Sequence, residues 1–149
     1  MAAKYAYPGA RVADPRARIA ELAGQARDIA RRHPWLGALL YRSIPPGPGG
    51  LRYLDYFLGL LAGSRLSTGA RLEIIAMISG FATMYGAMQA PPAGQLASGA
   101  EQVQALDSAA ARGRYPNLAA ALETPRPPRG HADTFGSCIE RLIDLARVG

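Results

Sequence analysis

Cysteine and lysine are almost missing from this 149-residue chain, and their scarcity removes several chemistries at once. The single cysteine, Cys138, excludes an internal disulfide framework and fits a reducing, cytoplasmic setting. The single lysine, Lys4, lies near the chain start. There it serves neither a P-loop, whose lysine sits in a glycine-rich turn, nor a pyridoxal enzyme, whose lysine is buried at the cofactor. The two histidines, His33 and His131, are far apart and lack a cysteine or second histidine at ligand spacing, so no metal site is expected. No Gly-x-Ser-x-Gly elbow occurs, and His131 with Asp133 has no nucleophile to complete a triad. Gly47-Pro48-Gly49-Gly50 follows no strand and reads as a turn, not as a dinucleotide loop. No cofactor is expected.

Charge is absent from Ile74 to Ala100. The apolar part of that stretch, Ile74 to Met88, is shorter than the roughly 20 residues of a spanning helix, and Gln89, Pro91 and Pro92 follow, so no membrane partner is expected. Outside a membrane, a helix that is apolar all round is buried on more than one side, by its own core and by a partner subunit or ligand. Met1 to Pro15 has no apolar run of the kind that makes a secretory signal. Ala and Leu dominate over Val, Thr and Ile, which favours helices over strands. With 49% hydrophobic and 19% charged residues the chain is globular in composition. Its length suits one domain, expected at 14–149 behind a flexible segment, 1–13. The net charge of +6 is carried almost wholly by arginine and says little about a partner.

What is present is helical spacing. Asp14 followed by Pro15 is a start signal, an N-cap acceptor and then a residue whose missing N–H costs nothing at the first helical position. The spacing predicts a helix from there to His33, with Ile19, Leu22, Ala23, Ala26, Ile29 and Ala30 on one face. Arg16, Arg18, Glu21, Arg27, Asp28 and Arg31 are expected on the other. Arg31, Arg32 and His33 suit the negative end of the helix dipole, and Pro34 discourages continuation. A short helix, Trp35 to Tyr41, follows, and then an extended loop from Ile44 to Gly50.

Leu51, Leu54, Leu58 and Leu61 stripe a helix from about Gly50 to Ala62, with Gly63 as its C-cap. Ser67 or Thr68 caps a long central helix to Gln89. An alanine-rich helix with a mobile start is expected over Gln95 to Arg112, and a short one from Tyr115-Pro116-Asn117 through Leu122. After an unstructured break at Pro125 to Gly130, the last helix begins near Asp133. Its residues Phe135, Cys138, Ile139, Leu142, Ile143 and Ala146 make more than one apolar face, as in a helix buried by another chain. No strand-like alternation or fixed-period repeat competes, so the fold class is all-α, an antiparallel bundle of six to seven helices.

Several of these pieces are specific. They are Arg32-His33-Pro34-Trp35-Leu36, the loop Pro45-Pro46-Gly47-Pro48, a Leu54-to-Leu66 helix ending before a Ser-led central helix, Ser79-Gly80-Phe81, Tyr115-Pro116-Asn117-Leu118, and Phe135 through Ile143. In order and spacing they resemble the C-terminal domain of the tetracycline-repressor family over roughly Pro15 to Arg147. The resemblance implies an effector-binding domain that forms a homodimer through helices 68–89 and 133–147, paired with their two-fold mates in a four-helix interface. Family members carry a helix-turn-helix ahead of this domain. Here Met1 to Ala13 leave no room for a recognition helix, so no direct DNA binding is expected. Either that half was removed or the domain is natively free-standing.

By the same resemblance the pocket is expected at Leu22, Ala26, Leu40, Tyr53, Phe57, Ile75 and Ser79, which also suit plain core packing. Such a cavity takes up a small hydrophobic or aromatic metabolite or drug by area burial, with Tyr53, Ser79 or Arg42 supplying orienting hydrogen bonds. Tetracycline repressors proper hold a drug-bound magnesium through a histidine at the position matching Leu40. Leucine cannot ligate a metal, so magnesium-tetracycline is not the expected ligand.

One enzymatic alternative stands, cofactor-free cyclisation, dehydration or isomerisation of a bound metabolite, with Tyr53, Tyr56, Tyr85, Asp55, Glu73 or Arg42 as acid, base or anion holder. Asp55 and Glu73 lie on otherwise apolar stretches, where a carboxylate is solvated, paired or raised in pKa. A pure dimerisation module without a cavity is the third reading.

Overall fold

A computed structural model describes residues 12–37, 47–90, 99–111, 113–123 and 131–146, except for the side chains of 99, 100, 102 and 131–133. Among the described residues there are six helices and no strand. They are α1 (Pro15–Arg32), α2 (Pro48–Leu60), α3 (Thr68–Met88), α4 (Gly99–Ala111), α5 (Pro116–Glu123) and α6 (His131–Leu145). The chain divides into two compact units, Met1–Ala90 with His131–Gly149, and Pro91–Gly130.

In the first unit α1 begins as its sequence dictates. The Asp14 carboxylate accepts from the Ala17 N–H at 3.0 Å, with Pro15 at the first helical position. It ends at His33, whose N–H reaches the Ile29 carbonyl at 2.9 Å. Helix α3 is capped by Ser67, whose hydroxyl accepts from the Ala70 N–H at 3.3 Å.

Helices α1 and α3 pack along much of their length, and α2 and α6 lean on both. The core is formed by Ile19, Leu22, Ala23 and Ala26 of α1, Phe57 and Leu60 of α2, Ile74, Ile75, Ile78 and Ala82 of α3, and Phe135, Ile139 and Ile143 of α6. Each large side chain fully buried there, such as Phe57, contributes about 1.5–3 kcal/mol relative to exposure. Across the α3–α6 seam Phe81 stacks on Phe135 with centroids 5.9 Å apart, and Tyr85 meets Phe135 at 5.3 Å. At the surface, Arg16 of α1 ties to Glu140 at 3.2 Å and Asp144 at 2.5 Å on α6.

The second unit holds α4 and α5. Its turn is at Gly113, whose N–H bonds the Ala110 carbonyl at 3.0 Å and whose φ of 71° lies in the left-handed region that favours glycine.

The structure corrects several expectations. Arg18, assigned to the polar face of α1, is only 7% exposed, because it falls on the stripe that continues through Leu22 and Ile29. The expected loop from Ile44 to Gly50 ends early, since Pro48 opens α2 and Gly49 and Gly50 are already helical. Proline loses no hydrogen bond at that position, so it starts the helix instead of delaying it. Gly63 does not cap α2; the helix closes at Leu61, and a turn from the Ser64 N–H to the Leu61 carbonyl at 3.0 Å follows. Helix α6 starts at His131, two residues before Asp133. Leu36 and Gly37 are helical, but the rest of the expected helix Trp35 to Tyr41 lies outside the described residues. So do the segment 1–11, the start of the Gln95 helix and the break at Pro125 to Gly130. No described helix is long and apolar enough to cross a membrane.

Candidate functional site

Six of the seven residues expected at a pocket come together where α1, α2 and α3 meet. Leu22, Ala26, Phe57 and Ile75 belong to the buried core, and Tyr53 packs against it. The Tyr53 hydroxyl and the Ser79 hydroxyl are 2.8 Å apart, half-buried, and either can donate. Leu40 and Arg42 lie outside the described residues.

The local sequence explains the pairing. Tyr53 and Phe57 are one turn apart on α2, so both face inward, their rings edge-on at 5.5 Å. Ser79 is one turn beyond Ile75 on α3 and turns its hydroxyl toward α2. Its carbonyl accepts from the Thr83 hydroxyl at 2.8 Å, so Ser79 is held from both sides. The result is a polar pair set against the apolar side chains of the core.

A second polar group, which periodicity placed on the solvent face, sits on α1. The Arg18 guanidinium donates from Nε to the Tyr56 hydroxyl at 3.1 Å, lies 5.6 Å from that ring's centroid, and pairs through Nη1 with Glu21. Burial disfavours its charge, but the hydrogen bonds to Glu21 and Tyr56 outweigh that and leave its pKa above the ordinary arginine value. The hydrogen bond from Arg18 holds Glu21 below the usual glutamate range, against the opposing effect of burial. The signal was available in the spacing, because residues 18, 22 and 29 share one stripe of a helix. Arg27 is a further surprise, with its guanidinium 4.7 Å from the Phe135 ring and 2.9 Å from the Asp28 carboxylate.

The residues proposed for catalysis do not converge. Asp55 and Glu73 are exposed, and the Arg71 guanidinium reaches the Ser64 carbonyl at 3.0 Å. Tyr85 belongs to the aromatic seam with Phe81 and Phe135, whereas Tyr53 pairs with Ser79 and Tyr56 with Arg18. The enzymatic alternative therefore gains no support. Cys138 is half-buried on α6.

Comparison with curated proteins and with solved structures finds no match. Comparison with protein families finds one that spans most of the chain, described as tetracyclin repressor-like, C-terminal domain, and matched over residues 8–144. The all-α architecture, the capped central helix and the family match agree, and the chain belongs to the tetracyclin repressor-like C-terminal domain family.

Proposed function

We propose that this domain takes up a small hydrophobic or aromatic effector among α1, α2 and α3, and that it works as a homodimer through α3 and α6. The observation that carries the ligand half is the Tyr53–Ser79 pair, two hydroxyls set 2.8 Å apart among Leu22, Ala26, Phe57 and Ile75. Two hydroxyls that can each give or take a hydrogen bond are exchangeable: an entering carbonyl or hydroxyl accepts from one member while the apolar body gains burial. The dimer half is supported by Met77, Met84 and Met88, which are 43–73% exposed on a helix whose other side is core.

Calorimetric titration with 2-acetylnaphthalene, an apolar body carrying one acceptor, tests the ligand half. Saturable binding with one site per chain is expected, with the probe's mass unchanged on recovery. Tyr53→Phe is expected to weaken it by about tenfold, the worth of one hydrogen bond. Absence of saturable binding to the wild type overturns the reading, and conversion of the probe transfers the domain to the enzymes.

A further inference from the structure

Gln25 was not among the residues expected to meet a ligand, yet it carries an unusual atom. Its side chain leaves α1 between Leu22 and Ile29, three residues after the first and four before the second, next to Ala26. The amide nitrogen is committed, donating to the Glu21 carboxylate at 3.2 Å. That bond fixes which end of the amide is which, since a carboxylate accepts only from the NH2 group. The oxygen, Oε1, is therefore turned the other way, where it is shut off from solvent and has no hydrogen-bond partner among the described residues.

A buried carbonyl without a donor suffers its full desolvation penalty, and native structures rarely leave one so without a use for it. The polar groups of the α1–α2–α3 junction are engaged elsewhere. Arg18 is held by Glu21 and Tyr56, while Tyr53 and Ser79 hold each other. Flipping the amide offers no relief, because it would set oxygen against the Glu21 carboxylate and bury an unpaired NH2 instead.

We propose that Gln25 Oε1 is the acceptor through which this domain recognises its effector, and hence that the effector carries an N–H or O–H donor on its apolar or aromatic body. The inference rests on the ligand-binding reading above and narrows it. The Tyr53–Ser79 pair is tolerant, able to give or to take a hydrogen bond, whereas Oε1 only accepts. Gln25 is then the discriminating contact, rewarding donor-bearing molecules over ethers and hydrocarbons of the same shape.

The test uses two probes that differ by a methyl group in place of the hydroxyl hydrogen, 2-naphthol and 2-methoxynaphthalene, titrated calorimetrically at pH 7 into the wild type and into Gln25→Leu. The wild type is expected to prefer 2-naphthol by about tenfold, the discrimination of one hydrogen bond. Gln25→Leu is expected to erase that preference while keeping its affinity for the ether. Equal binding of both probes by the wild type, or a preference that survives in Gln25→Leu, overturns the role of Gln25 and leaves the ligand-binding reading standing. Failure of both probes to bind at all overturns both readings. A thermal melt provides a readout that needs no ligand. Removing an orphaned acceptor is expected to leave Gln25→Leu at least as stable as the wild type, whereas a fall of several degrees would mean that Oε1 has a partner inside the protein.

Discussion

At Gly86 on α3 a side chain has no room. A Cβ built there would sit 2.2 Å from the backbone oxygen of Arg27 and 3.0 Å from the Ala30 methyl, so α1 and α3 approach almost backbone to backbone. The obstacle is main chain, which cannot swing aside as a long side chain can. Gly86→Ala therefore forces the helices apart and strains the seam that also carries Arg27 over Phe135. Overpacking of this kind costs about 1–3 kcal/mol, and alanine's better helix propensity returns only about 1 of it. Gly24 in α1 is the internal control, with nothing within 4 Å of a built Cβ. Gly24→Ala is expected to raise stability by up to about 1 kcal/mol and Gly86→Ala to lower it, as read from urea midpoints at constant m-value. Equal effects would mean that the close approach carries no energy.

The elements were legible where local chemistry decides them. Asp14-Pro15 marked the start of α1, Ser67 that of α3, and Tyr115-Pro116 that of α5, because a cap needs only the residues beside it. The cap at Asp14 is checkable: Asp14→Ala removes the acceptor for the Ala17 N–H and is expected to cost about 1 kcal/mol, lowering the melting temperature by a few degrees. Asp14→Asn, which keeps an acceptor oxygen, should recover most of the loss; if both variants melt like the wild type, the cap is idle. What could not be read was tertiary in origin. The spacing put Arg18 on the buried stripe, but nothing local said that Tyr56, thirty-eight positions away, would supply a hydroxyl for it. Gln25 looked like any polar helix residue, since nothing local says that one end of its amide is shut from water. That Leu22, Ala26, Phe57, Ile75, Tyr53 and Ser79 come together was legible through family resemblance. The hydroxyl bond between the last two was not, because α2 and α3 could have met in another register.

For the whole molecule the open surface of α3 is the decisive quantity. Met77, Met84 and Met88 recur at seven and four residues, so they line one side of the helix, opposite Ile75, Ile78 and Ala82. On α6 Leu145 is exposed and Leu142 half-buried, beside the core residues Ile139 and Ile143. Methionine fits such a face, because its unbranched, polarisable side chain adapts to a partner at little cost. Under two-fold symmetry each residue of a central patch meets the same patch on its mate, so one substitution acts twice. Met84→Glu is therefore expected to bring two carboxylates into one apolar seam, where burial and like charge both oppose association. Sedimentation velocity at micromolar concentration should show a dimer for the wild type and a monomer for Met84→Glu. The wild type's melting temperature should also rise with protein concentration, and the variant's should not. Glu140 supplies the comparison, since it is exposed on α6 and its contact is with Arg16 of the same chain. Glu140→Gln should leave the dimer intact. A wild type that sediments as a monomer would overturn the dimer half of the proposal, and the effector-binding half would then have to stand without a symmetry mate.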